Sequence, residues 1–399
     1  MNTDGSFSGS LLGRTFRVNL SSAPSCLELI CVHSYPSVVA SDLSKRLIID
    51  SHLDLGFSAI QVNRDLTQPA LTVRIHDSEP VTRSFGSCTT TFPELRKGHI
   101  GIVFGTVMSR TDANDEWTKT GMYVQSQCHG VGMGHYALYE TMEREGEIRF
   151  IRSAEDLDAS IEAWRDPAPN EPIGLMLAME SADAIMDPDQ VAEWYERGLR
   201  MVSIQHYGVS SYAHGTGTEG GLLPRAKPLL DALKEAGIIV DLTHTTDQGF
   251  WETLEAYDGP VCASHHNCRA LTPGQRQLTD DMIKAIAERG GVIGAAFDVW
   301  MLDPNWQREV PCYEQRTQAT LETVVDHIDH ISQLLGNCNH SGIGTDLDGG
   351  FGQEQSPNDL NTIADLQKLP DILGNRGYSE ADIDRVLHEN WIRLLKSCW

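Results

Sequence analysis

The sequence predicts an α/β protein built as a (β/α)8 TIM barrel, on three observations. Eight short apolar runs alternate with helix-type segments from residue 46 to near the C-terminus. Most of these runs are apolar throughout rather than alternating, as strands buried on both faces of a parallel sheet require. Side chains able to bind metal gather at the C-terminal ends of the runs, the rim where barrel enzymes build their sites.

In order, the runs are 47–55 (LIIDSHLDL), 99–108 (HIGIVFGTVM), 173–180 (IGLMLAME) and 201–206 (MVSIQH). They continue with 238–244 (IIVDLTH), 260–265 (PVCASH), 291–297 (GVIGAAF) and 341–346 (SGIGTD). Amphipathic stretches at 222–236, 279–289 and 318–335 lie between them; in the second, Met282, Ile283, Ile286 and Ala287 recur at helical spacing. Gly237 follows one such stretch and Gly290-Gly291 separates another from its next strand, as helix stops. Residues 56–98 are less regular, with the turn-rich 64–74 (RDLTQPALTVR), and 109–150 reads as a long insertion before the third strand. After the eighth run, 361–373 and 379–395 read as two terminal helices, with Ser379 and the acidic Glu380 and Asp382 at the start of the second. No linker, charge block or repeat marks a second domain, so 46–399 is expected to be one catalytic barrel. Residues 1–45 form a serine-rich N-terminal extension without clear periodicity.

Composition excludes some functions. With 31 basic against 56 acidic residues the formal net charge is -25, which argues against a protein that tracks nucleic-acid phosphates. No apolar run approaches the roughly 20 residues that span a bilayer. The apolar stretch 27–32 is short, interrupted by Glu28, and makes a poor signal peptide. Nine cysteines include no C-x-x-C pair, so neither a zinc ribbon nor a thioredoxin-like site is indicated. Reduced thiols and a cytoplasmic location are the expectation, with a periplasmic or secreted location as the alternative.

His52 and Asp54 stand at i and i+2 near the end of the first run, on the same side of a strand, with Asp50 one step deeper. Glu180 ends the third run, His244 the fifth, His265 the sixth and Asp346 the eighth. Taken singly, each has a bland explanation: a structural histidine, a chance H-x-D pair, or an aspartate capping the turn in Asp-Leu-Asp-Gly-Gly. Their collection at one rim does not. Imidazole and carboxylate suit zinc, with manganese, cobalt or iron as alternatives, and five protein ligands exceed the three of a mononuclear catalytic zinc. Two ions sharing a carboxylate account for the surplus.

The chain also resembles the renal, or membrane, dipeptidases, and most closely their bacterial members, over residues 47–395. The resemblance is carried by IIDSHLDL, NRDLTQP, VDLTH, ASHHNCRALTPGQRQLTDDMI, VVDHIDHI and GIGTDLDGG in that order. It implies a dipeptidase with two Zn2+ per chain, His52 and Asp54 on one ion, His244 and His265 on the other, and Glu180 bridging. His206, in MVSIQHYG, matches a histidine that steadies the developing oxyanion. Arg276, in GQRQLTDD, matches an arginine that receives the substrate's terminal carboxylate, and Asp346 an acidic group that handles the proton of the attacking water. Tolerance of a D-residue at the C-terminal position and a homodimer are implied by the family alone.

Two departures stand out. After Glu180 the chain reads MESADAI where many relatives have glycines and a histidine, which puts the shape of that loop in doubt. His266 follows His265 and competes with it as a ligand; alternation lets only one face inward, and the resemblance favours His265. Residues 299–316 are expected to line or cover the mouth, with Trp300 and Trp306 packing the loop. The rival functions are another binuclear barrel hydrolase acting on a lactone, phosphoester or cyclic amide, and a catalytically silent barrel that serves as a binding protein. Many hydrolases of the first kind bridge their metals with a modified lysine on the fourth strand; residues 201–207 contain none.

Overall fold

The computed structural model describes the backbone of 8–11 and 14–17 and all of residues 45–112 and 121–399. Two compact units are present, Met1–Ser44 and Lys45–Trp399. In the first, Ser8–Leu11 and Arg14–Arg17 pair as an antiparallel hairpin. The apolar stretch 27–32 lies outside the described residues.

The second unit contains the barrel. Its strands are β1 (Ile48–Leu53), β2 (Ile100–Met108), β3 (Ile173–Glu180), β4 (Leu199–Ser203), β5 (Ile239–Asp241), β6 (Val261–Cys262), β7 (Ile293–Ala295) and β8 (Ser341–Ile343). They pair in parallel in the order β7-β8-β1-β2-β3-β4-β5-β6, and a bridge between Ala263 and Ile293 joins β6 to β7. Every residue of these strands is buried, which is why the runs read as continuously apolar. Ile49, Ile102, Phe104, Met176, Ala178, Met201, Ile239 and Cys262 form one buried cluster with Trp391, Leu394 and Leu395 of the C-terminal helix. That helix packs against the start of β8, where Asn390 Nδ2 donates to the Ser341 carbonyl at 2.8 Å.

Several ladders are shorter than the apolar runs. His206, His244, His265 and Asp346 each lie three residues beyond the last ladder residue of their strand. There the backbone amides turn from the ladder to aspartate side chains. Asp50 accepts from the amides of His52 (3.2 Å) and Thr345 (2.9 Å). Asp241 accepts from those of Thr243 (3.0 Å) and Ser264 (2.9 Å).

The stretch 109–150, expected as a long insertion before the third strand, has secondary structure of its own. It holds the 21-residue helix Gln125–Glu145 and a short strand, Ile148–Phe150, paired in parallel with the start of β3. At the C-terminus, 361–373 begins as a 3₁₀ helix, Ile363–Lys368, and becomes α-helical at Leu369–Asn375. Residues 379–395 run as one helix with a π-helical turn at Arg385–Glu389, and the Ser379 side chain accepts from the Asp382 amide. The seven cysteines among the described residues are free. No helix of the described residues is long and apolar enough to cross a membrane.

Candidate metal centre

Glu180 ends β3, and its carboxylate stands among four imidazoles. Its Oε1 lies 3.2 Å from His244 Nε2, 3.5 Å from His52 Nε2 and from His206 Nε2, and 3.6 Å from His265 Nε2. His244 Nε2 and His265 Nε2 are 3.2 Å apart. Asp54 Oδ1 and Asp346 Oδ1 each lie 3.9 Å from His52 Nε2. All seven residues named from the sequence as ligands or catalytic groups thus share one buried cluster. His266 does not join them: it is absent from the groups close enough to share an ion, and its amide donates to the Gly294 carbonyl.

This donor set fits divalent metal. Two ligands of a tetrahedral zinc at roughly 2.0–2.1 Å sit about 3.3 Å apart, close to the 3.2–3.6 Å among Glu180, His244 and His265. His52, Asp54 and Glu180 form a second group whose donor atoms lie within 4.8 Å of one another. His52 Nε2 is buried and has no hydrogen-bond partner, and the Nε2 atoms of His244 and His265 face each other. Burial, helped by Arg276, keeps His244 well below the usual histidine range; burial and His52 do the same for His265. Both are therefore neutral, the state that ligates. Burial and the Glu180 charge push Asp54 up to about 7, and burial drives Asp346 well above the carboxylate range. Burial opposes a charge on His52, yet Glu180, Asp54 and Asp346 hold it up to about 10. Bound cations would favour the charged form of these crowded carboxylates.

Two of these donors are held from behind. Thr106 donates to Asp54 Oδ1, and Thr216 Oγ1 meets His244 Nδ1 at 3.0 Å. Asp346 (φ 61°) and Asp348 (φ 64°) are both left-handed. The Asp348 carboxylate accepts from the Thr89 and Thr90 amides at 2.9 Å each, tying this turn to the loop before β2. The loop after Glu180 is a 3₁₀ turn, Ala182–Ala184, preceded by Ser181 at φ 66°. In it Asp183 accepts from Thr111 N (2.7 Å) and Ser211 N (2.8 Å), joining the loops that follow β2, β3 and β4. Thr216, Thr106, Asp348 and Asp183 were not singled out from the sequence; small polar residues flanking a motif carry no pattern of their own.

Arg276 is buried beside the cluster. Its Nη2 donates to the His265 carbonyl at 3.0 Å, while Nε and Nη1 have no partner. His206 Nδ1 is likewise unpartnered. From the 299–316 loop, Arg308 stacks on Trp300 (4.1 Å) and over Tyr207 (5.4 Å), whose ring is 5.0 Å from that of His244. The loop thus reaches the mouth.

A family model described as membrane dipeptidase (peptidase family M19) matches residues 40–398. An uncharacterised protein of Klebsiella pneumoniae is 31% identical over 189 residues, 47% of this chain and 65% of that protein, just under two thirds of its length. An uncharacterised dipeptidase of Schizosaccharomyces pombe is 26% identical over 321 residues, covering 76% of this chain and 71% of the yeast protein. Among solved structures, a metallopeptidase from Rhodobacter sphaeroides bound to a phosphinate mimic of L-Ala-D-Ala superposes with a TM-score of 0.72 at 21% identity, over 89% of this chain and 100% of that one. A probable dipeptidase from Pseudomonas aeruginosa gives 0.70 at 19% identity, over 88% and 95%. At these identities the structural matches show the barrel fold.

Proposed function

The chain belongs to the membrane dipeptidase family, a family of metal-dependent hydrolases, and on that premise we propose that it hydrolyses dipeptides at a binuclear zinc centre. The observation that carries this reading is a carboxylate, Glu180, with the Nε2 atoms of four histidines 3.2–3.6 Å from one oxygen. His52, Asp54 and Glu180 would hold one ion, and His244, His265 and Glu180 the other. Bound there, the ions would make water nucleophilic at neutral pH and polarise the scissile carbonyl.

The remaining steps belong to side chains. Arg276, with Nε and Nη1 unpartnered, receives the substrate's C-terminal carboxylate and places the peptide bond against the cluster. His206 donates a hydrogen bond to the oxygen that gains charge as the carbonyl carbon becomes tetrahedral. Asp346 takes the proton of the attacking water on its carboxylate and passes it to the leaving nitrogen. A fixed carboxylate receptor limits the substrate to short peptides with a free C-terminus. Acceptance of a D-residue at that position, and a homodimeric assembly, are part of the proposal on family grounds. The test is metal content together with turnover of an L,L and L,D dipeptide panel before and after chelation. About two zinc per chain, with chelator-sensitive cleavage that His244→Ala abolishes, is the expected result. Two metals without cleavage would move the substrate towards lactones or phosphoesters, and no metal regained on adding zinc would sink the mechanism.

A further inference from the structure

Ser264, immediately before His265, is fully buried, and one hydroxyl serves two of the proposed ligands. Its Oγ lies 2.9 Å from His265 Nδ1 and 3.3 Å from His52 Nδ1. It donates its single proton to Asp241 Oδ2 at 2.5 Å. Thr243 Oγ1 stands 3.3 Å away, but its proton goes to Asp241 Oδ1 at 2.7 Å. The Ser264 carbonyl is fixed in turn by the Ser51 hydroxyl, 2.6 Å away.

The protons can be counted. A serine hydroxyl has one hydrogen and two lone pairs. With the hydrogen committed to Asp241, Oγ can only accept from the two imidazoles, so both Nδ1 atoms must carry hydrogen. In the neutral imidazoles, the form that ligates, both Nε2 atoms then present lone pairs to the cluster. We propose that Ser264, its polarity set by Asp241, is a positioning residue that selects the metal-binding tautomer of His52 and His265 together and so couples the two metal subsites. This rests on the assignment of His52 and His265 to different ions.

Asp241 is the decisive partner. Its Oδ1 accepts three hydrogen bonds, from Thr243 N (3.0 Å), Thr243 Oγ1 (2.7 Å) and Ser264 N (2.9 Å). In Asp241→Asn those three donors keep the amide oxygen at the Oδ1 position and turn its NH2 towards Ser264. The serine must then accept from the amide and donate to an imidazole, which demands the Nδ1 lone pair and places hydrogen on Nε2. The near-isosteric variant therefore reverses the polarity, whereas Ser264→Ala only removes it.

The experiment is a zinc titration of the metal-free full chain against a chromophoric chelator, for wild type, Ser264→Ala and Asp241→Asn, with thermal midpoints of the metal-free forms as the check on folding. Wild type is expected to bind two zinc. Both variants should still reach two at saturation, with Ser264→Ala weakened roughly 10–100-fold at both steps and Asp241→Asn weakened at least as much despite its closer shape. Wild-type affinity in Asp241→Asn, or loss confined to one step in Ser264→Ala, would overturn the inference while leaving the ligand assignment intact. A wild-type chain that binds fewer than two zinc would overturn the assignment itself, and this inference with it.

Discussion

At the residue scale, the proposed specificity rests on Arg276. Burial works to lower its pKa, and two of its nitrogens, Nε and Nη1, face no acceptor. A buried cation left so incompletely bonded is costly unless a ligand completes it. Arg276→Met should raise KM for a dipeptide by roughly 10–100-fold, since a charge-assisted pair contributes about 1.5–3 kcal/mol. kcat should change much less, because the carboxylate is held equally in ground and transition states. Steady-state kinetics on a dipeptide and its C-terminal amide check this; equal penalties on both substrates would remove Arg276 from the carboxylate. The arginine itself was picked out in the sequence through GQRQLTDD, but its two unpartnered nitrogens were not, because they depend on which groups pack around the guanidinium.

At the scale of elements, the helix Gln125–Glu145 was not legible within the 109–150 insertion. Gly130, Gly132 and Gly134 within it look like helix breakers. Gly132 has a packing reason: a Cβ there would lie 2.9 Å from Ala184 Cβ and 3.0 Å from Val107 Cγ1, so the helix lies against β2 and the loop after β3 only because it is bare at that point. The elements also carry a pH dependence remote from the metal cluster. On helix Leu321–Leu335, burial lowers His327 to about 4, and its Nδ1 accepts the Cys268 amide at 3.0 Å. The unfolded value is near 6.5. The folded state therefore binds fewer protons, and the stability contributed is complete above pH 6.5 and lost as pH falls towards 4. A shift of this size corresponds to about 3 kcal/mol at most. His327→Gln, which can still accept the Cys268 amide, should be less stable than wild type at pH 7, and the gap should narrow by up to that amount at pH 4. Urea unfolding across this range measures it; parallel pH profiles would refute it.

For the whole molecule, the cluster is where folding and metal binding meet. Three carboxylates and four imidazoles are brought together by six strands and their extensions, and with no cation between them the buried charges oppose closure of the barrel mouth. Zinc that binds only the folded chain stabilises it by about 2.7 kcal/mol at a hundredfold excess over its Kd. Chelation should therefore lower the thermal midpoint by several degrees, and added zinc should restore it. Unchanged midpoints by scanning calorimetry would show that the cluster forms without metal at no cost. The C-terminal helix closes the strands on another side: Trp391 donates to the Ile343 carbonyl at 3.2 Å and packs edge-on against Phe104.

The sequence by itself determined the barrel, the order of its strands and the side chains that converge at its mouth. These follow from local patterns: apolar runs of strand length, and ligand residues at a fixed phase near the ends of those runs. His52 and Asp54 share a side because of the two-residue period, and Glu180 reaches the centre because it ends a strand. Only the tertiary structure decided where the ladders stop. It alone placed Asp183 between three loops and Asp241 behind the Ser264 hydroxyl. Those contacts join residues far apart in the chain, such as Ser264 and His52, 212 positions apart. Hydrogen bonds are short-ranged and directional, so these partners are set by how the closed barrel brings distant segments within about 3 Å of one another, and no local pattern records that.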